Sequence, residues 1–321
     1  MSVTSTGERK GLLMKRALVL SGGGAKGAFQ FGALQYIHEH LESGDPAFRF
    51  DIIAGVSVGA LNGVMLAMDK YDQLDHIWHT ITKNQIYKGS LSPLSALFRI
   101  IFGKKGVLSN APLYKMLERY VFLNEISPER DLRLGAVSLI SGEYVALRAA
   151  DMPDDTNLRR AVLASTAIPV IWAPVKFVRT RTDAFRQLVD GGVRNVSPLG
   201  DVIKENPDEV IIINCDPEAI RTDEHAAKNL FTIAMRSLAD IAINEIFRSD
   251  VREFLRINDL VTQAEAQGIT LTKPDGTPYV KYKSYFIEPR EDIGDTLDFS
   301  RAILDQRISL GYATAREVFE A

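Results

Sequence analysis

The chain has 321 residues, 38 lysines and arginines against 41 aspartates and glutamates, a net charge of −3, a 46% hydrophobic fraction, one cysteine and five histidines. The lone Cys215 excludes an internal disulfide framework, a cysteine-rich zinc site and a cysteine-ligated iron–sulfur cluster. The near-neutral charge gives no electrostatic footprint for nucleic acid, and no apolar run approaches the ~20 residues of a membrane span.

Residues 1–14 read as a loose polar tail, and residues 15–321 as a single domain. Ala17–Leu20 is a buried strand ended by glycines. It is also too short for a secretory h-region, so no signal peptide is expected and the expected compartment is the cytoplasm. Helical spacing of Phe29, Ala33, Leu34 and Ile37 follows, to about His40, and Ser43-Gly44-Asp45-Pro46 breaks it. Asp51–Ala54 is a second buried strand, and Val58–Met68 a second helix. Strand, glycine turn and helix, repeated, argue for an α/β fold with a parallel sheet. Asp131–Ile140 and Glu143–Ala149 read as a hairpin turning at Ser141-Gly142. The remaining elements are a helix over Asn157–Ala164, strands at Gln187–Val189 and Val210–Asn214, a long helix over about Glu224–Gln267, a strand at Ser284–Ile287 and a helix from about Phe299. Cys215, just after a buried strand, reads as core.

The first glycine turn is Ser21-Gly22-Gly23-Gly24-Ala25-Lys26-Gly27. Consecutive glycines can turn backbone N–H groups outward, and the following helix N-terminus adds partial positive charge, so the turn suits an anion. Gly22, Gly24 and Gly27 match G-x-G-x-x-G, which keeps open a dinucleotide site in an oxidoreductase. An oxyanion hole fits equally. The dinucleotide reading needs an acid at the end of the second strand, and here that strand ends in Ala54-Gly55.

The second turn, Gly55-Val56-Ser57-Val58-Gly59, is G-x-S-x-G between a strand and a helix, the setting of a nucleophile elbow. Its plainer reading is a serine capping a helix. A nucleophilic serine needs a base. His38, His40, His76 and His79 fall on helix surfaces. His76 and His79 with Asp72 and Asp75 make only a weak metal set, and no metal is expected. His225 would complete a Ser–Asp–His chain order. The stronger candidate is Asp190, at a strand end before Gly191-Gly192, where a carboxylate can reach a neighbouring strand's turn and act as general base.

These motifs, in this order, resemble the patatin-like phospholipase family. The matching residues are Ser21–Gly27, Gly55–Gly59 and Asp190-Gly191-Gly192, with Asp190 133 residues after Ser57. Ala164-Ser165-Thr166-Ala167-Ile168-Pro169 is similar to a family segment between nucleophile and aspartate. Leu297-Asp298-Phe299-Ser300 followed by Gly311-Tyr312 looks like the family's closing helix. The family often has Asn and Pro soon after Asp-Gly-Gly, and here Asn195, Val196 and Pro198 match only approximately.

The resemblance implies a three-layer α/β/α sandwich with a largely parallel sheet, distinct from the common α/β-hydrolase fold. It implies a lipid acyl hydrolase of the phospholipase A or lysophospholipase type, needing no cofactor. Ser57 would be the nucleophile, Asp190 the base, and the amides of Gly22, Gly23 and Gly24 the oxyanion hole, with Gly27, Gly55, Gly59, Gly191 and Gly192 supporting the turns. The implied partner is a phospholipid or other acyl-ester lipid. Over residues 91–106, Leu94, Leu97, Phe98 and Ile101 share one helical face beside Arg99, Lys104 and Lys105. The plainer reading is a core helix with a basic end; the other is a lid or a peripheral contact with anionic membrane.

Overall fold

The computed structural model describes residues 14–45, 47–90, 92, 103–217, 222, 227, 233 and 236–321. Its strands are β1 (Arg16–Leu20), β2 (Ile52–Val56), β3 (Asp131–Ser138), β4 (Tyr144–Arg148), β5 (Val175–Arg179), β6 (Ala184–Asp190), β7 (Glu209–Ile213) and β8 (Lys283–Ile287). They form one sheet in the order β5-β6-β3-β2-β1-β7-β8, with β4 also paired to β3. The pairs β3–β2, β2–β1, β1–β7 and β7–β8 are parallel, whereas β3–β4, β3–β6 and β5–β6 are antiparallel.

The central strands read as continuous apolar runs because both sheet faces are covered. Along each strand, side chains alternate between the faces. Leu18, Leu20, Ile53, Ile211 and Ile213 enter one core, and Ala17, Val19, Ile52, Ala54, Val210 and Ile212 the other. The first core is closed by α1 (Gly27–Ile37), α2 (Val58–Ala67), α3 (Tyr71–Thr80), α4 (Ala111–Tyr120), α5 (Asp155–Ser165) and the C-terminal helix Arg301–Glu320. The second is closed by Leu199 and Val202 of a short helix and by Phe254 of α6 (Ile243–Ala266). The expected three-layer, mostly parallel α/β/α arrangement is therefore present. No helix among the described residues is long and apolar enough to cross a membrane.

The C-terminal helix, α7 (Arg301–Glu320), crosses α1 with backbones in contact. A Cβ on Gly32 would lie 1.9 Å from the Ile308 carbonyl oxygen, and one on Gly311 1.9 Å from that of Phe29. Only glycine permits this approach, and it anchors the helix whose Arg307 supports the candidate site.

Some elements differ from the sequence expectation. β6 begins at Ala184 and includes Asp190 as its last residue. The β5–β6 pairing has no signal in the sequence, because β5 is short and interleaves basic with apolar residues. The α-turns of α1 end at Ile37 and widen over His38–Glu42. Wider turns over Arg236–Ala242 precede the α-turns of α6, and most of 224–235 in the expected long helix lies outside the described residues. Most of the amphipathic stretch 91–106, namely 91 and 93–102, lies outside the described residues, as do 1–13 and His225.

β3 sets the spacing between the ends of β2 and β6. Gly135 pairs with Val56 on one edge and Ala146 on the other, and Ala136 pairs with Asp190 and Val145. Since β4 occupies one edge, β2 and β6 end head to head along the opposite edge, on consecutive β3 residues.

Candidate active site

Ser57 sits between β2 and α2 at φ 56°, ψ −122°. A residue with a side chain occupies such backbone at a cost of ~1–3 kcal/mol, and only when its surroundings enforce it. The enforcement is visible. A Cβ on Gly55 would lie 2.3 Å from the Gly59 carbonyl oxygen, and one on Gly59 2.3 Å from that of Leu20. Both glycines let the chain fold onto itself and onto β1. The Ser57 N–H donates to the Ser165 hydroxyl at 3.0 Å, at the end of α5.

Asp190 closes β6 and is 5% exposed. Its Oδ1 accepts from the Gly192 N–H at 2.8 Å, and its own N–H donates to the Ala167 carbonyl at 3.0 Å. Oδ2 is buried with no hydrogen-bond partner among the described residues. Burial pushes the carboxyl up to about 7, offset in part by the Gly192 amide and the Ser57 hydroxyl. Gly191 is required by the path of the chain: a Cβ there would lie 2.6 Å from the Gly135 carbonyl oxygen.

The triple-glycine turn lies beside Ser57, whose Cβ would be 3.3 Å from a Cβ built on Gly22. The Gly22 N–H donates to the Val196 carbonyl at 3.2 Å, while those of Gly23 and Gly24 make no hydrogen bond among the described residues. A Cβ on Gly23 would lie 2.3 Å from the Cys215 Cβ, and one on Gly24 2.5 Å from the Thr296 carbonyl oxygen. Close protein neighbours thus require glycine at both positions, whatever the turn binds. Gly27 lets α1 approach Val58, since a Cβ there would lie 2.2 Å from that side chain.

Behind the turn runs a buried polar chain that sequence reasoning missed. Trp78 Nε1 donates to Asn62 Oδ1 at 2.9 Å, Asn62 Nδ2 to Gln30 Oε1 at 3.0 Å, and Gln30 Nε2 to the Ser21 and Ile213 carbonyls at 2.9 and 3.1 Å. It ties α3, α2 and α1 to the ends of β1 and β7. In front, the Thr296 carbonyl accepts from the Ala25 N–H at 2.7 Å. The Thr296 loop is held by Arg307 of α7, which is 1% exposed and whose guanidinium donates to the Ile293, Asp295 and Asp298 carbonyls at 2.9, 2.8 and 3.2 Å. Lys26 is paired with Asp216 and Asp292.

An apolar cavity opens from Ser57 and Gly24, walled by Leu61, Met65, Trp78, Leu117, Ile168 and Trp172 among others. It lies under α3 and α4. None of the described histidines lines it: His38 pairs with Glu42 at 2.8 Å, His40 with the Tyr312 hydroxyl at 2.9 Å, and His79 with Asp75 at 3.3 Å, while His76 lies in a surface cleft beside Lys70 and Glu125. No group of three or more potential metal-ligating side chains gathers among the described residues. Cys215 is buried, and burial raises its thiol well above the ordinary range.

The structure thus brings together Ser57, Asp190 and the first glycine turn. Two further contributors, Thr296 and Arg307, stand outside every motif, and Val196, which engages the Gly22 amide, falls in the segment after Asp-Gly-Gly that matches the family only approximately. Ser165 and Ala167 fall in the segment marked only by its similarity, and they touch the backbone of Ser57 and Asp190 respectively.

A family model described as patatin-like phospholipase matches residues 18–203, more than half of the chain. Among curated proteins, "Probable lipid hydrolase 463L" of Invertebrate iridescent virus 6 is 24% identical over 210 residues, covering 59% of this chain and 63% of that relative. The match therefore spans less than two thirds of the relative's length. Among solved structures, VipD from Legionella pneumophila aligns over 96% of this chain and 67% of that one, at 13% identity and a TM-score of 0.46.

Proposed function

The chain belongs to the patatin-like phospholipase family, and on that premise we propose that it hydrolyses acyl-ester lipids through Ser57 and Asp190. The observation that carries this reading is the unpartnered, buried Oδ2 of Asp190 beside a serine held in a strained elbow at the mouth of an apolar cavity. The relative called a probable lipid hydrolase agrees with it.

In this reading the acyl chain lies in the cavity, with its carbonyl over Ser57. Asp190 takes the Ser57 proton as the oxygen attacks, and burial keeps its basicity near neutrality, where a general base works best. The tetrahedral oxyanion is met by the free Gly23 and Gly24 amides. Gly22 serves by close approach, because its own amide is engaged by Val196. Each oxyanion donor is worth about 2.7–4 kcal/mol of barrier. Protonated Asp190 then gives its proton to the departing alcohol. A water, deprotonated by the same carboxylate, attacks the acyl-serine, and Asp190 returns that proton to the Ser57 oxygen as the fatty acid is released.

The test is turnover of a phospholipid by purified protein. Ser57→Ala and Asp190→Asn should each abolish it, and His225→Ala should leave it close to wild type. A large loss with His225→Ala would place a histidine in the mechanism and overturn the dyad.

A further inference from the structure

A hydrolase with an apolar cavity must meet its lipid somewhere, and the charge distribution names the surface. Between Asp75 and Glu118 the chain carries six cationic residues, Lys83, Lys88, Arg99, Lys104, Lys105 and Lys115, and no carboxylate, although the whole chain is net −3. Lys88 and Lys115 line a groove between α3 and α4, and no acidic residue among the described ones lines it. The groove shares Ile77, Ile81, Met116 and Tyr120 with the wall of the cavity beneath. Lys88, Lys104, Lys105 and Lys115 are exposed and have no carboxylate partner among the described residues.

A second observation concerns apolar side chains. Parallel strands β2 and β3 both end on the side of the sheet that carries Ser57. There the hairpin after β3 exposes Leu139 and Ile140 at 52% and 62%. On the same side Val170 is 48% exposed and held at φ 71°. A β-branched residue is rarely placed in that backbone region. Val170 lies between Ile168 and Trp172, which line the cavity. Its carbonyl accepts from the Val107 N–H at 2.9 Å, which brings the segment carrying Lys104 and Lys105 alongside. Apolar side chains turned outward beside unpaired lysines suit neither a core nor ordinary solvent. They suit an interface where chains enter the acyl layer and cations meet headgroup phosphates.

We propose that the rim around Ser57, with Val170, Leu139 and Ile140 as apolar contacts and Lys88, Lys104, Lys105 and Lys115 as the charged collar, docks the protein on anionic lipid surfaces. This rests on the hydrolase reading for its purpose, but its test does not depend on turnover.

Ser57→Ala protein is sedimented with vesicles of phosphatidylcholine alone and of phosphatidylcholine with phosphatidylglycerol. Binding is expected only with phosphatidylglycerol, and to weaken as salt is raised. Lys104→Gln/Lys105→Gln should weaken it by about fivefold per cation removed. Val170→Asn, which removes the apolar contact without adding charge, should weaken it while leaving the salt dependence in place. Melting temperatures confirm that each variant is folded, and the salt series needs no variant. Equal binding to both vesicles, no binding to either, or an unchanged affinity in folded Lys104→Gln/Lys105→Gln would overturn the proposal. So would displacement by inorganic phosphate at constant ionic strength, which would indicate a discrete phosphate pocket. Turnover of a water-soluble short-chain ester by the protein with Ser57 intact is measured separately. Its absence would sink the hydrolase reading and leave the vesicle result standing.

Discussion

The Ser57 N–H donates to the Ser165 hydroxyl at 3.0 Å, so the backbone of the elbow is pinned by a residue 108 positions away. The amide of Ser57 is thereby removed from the pool of oxyanion donors. Ser165→Ala leaves that buried amide unsatisfied, at a cost of about 1–3 kcal/mol. The expected result is a lower melting temperature and a fall in kcat, with KM little changed, because the elbow and not the cavity is disturbed. Steady-state kinetics on a soluble ester checks it.

The Asp190 carboxyl, pushed up to about 7 by burial, makes activity depend on pH. The base form is the active one, so kcat/KM for a soluble ester should rise with pH and level off above about 7. Stability has the opposite sign. The folded state holds its proton more tightly than the unfolded chain, so stability is lost as pH rises from the usual carboxylate range through 7. Asp190→Asn removes the charge. It should therefore melt higher than wild type at about pH 8 and match it near pH 4, while being inactive. Melting scans across pH decide this.

Arg307 holds the Thr296 loop through three backbone carbonyls from a buried position. Arg307→Ala strands those carbonyls and is expected to destabilise the fold by about 2–4 kcal/mol. With the loop loosened over Gly24, kcat should fall more than KM changes. Arg307→Lys, which keeps the charge but not the fork, should recover stability in part and kcat less. Thermal melts and steady-state kinetics on the two variants, side by side, check both expectations.

Leu61 and Met65, four residues apart on α2, line the cavity on one face. Leu61→Trp fills that space. Turnover of long-chain esters should drop about tenfold relative to short-chain ones, in line with what a few methylenes are worth in an apolar pocket. Equal losses for both chain lengths would indicate that the acyl group lies elsewhere. Competition between esters of two chain lengths reads it directly.

Much of this is legible in the chain. Glycine turns between short apolar runs mark β1–α1 and β2–α2, and the Asp-Gly-Gly turn marks the end of β6. The β-hairpin of β3 and β4 is readable from Ser141-Gly142. What joins Ser57 to Asp190, however, is register: Gly135 and Ala136 carry no signature of their own, yet they seat the two strand ends side by side. The parts played by Val196, Thr296 and Arg307 are unreadable for a similar reason. Each acts through a backbone carbonyl or on one, and such contacts leave no residue-type pattern. Arg307 looks in the sequence like a solvent-facing charge on the last helix, whereas the glycine-mediated crossing of α1 and α7 carries it inside.

The central claim is that Ser57 is the nucleophile. A fluorophosphonate probe followed by peptide mass mapping tests it most directly. The expected result is a single covalent adduct on Ser57, absent in Ser57→Ala and strongly slowed in Asp190→Asn. An adduct on another residue, or phospholipid turnover that survives in Ser57→Ala, would contradict it.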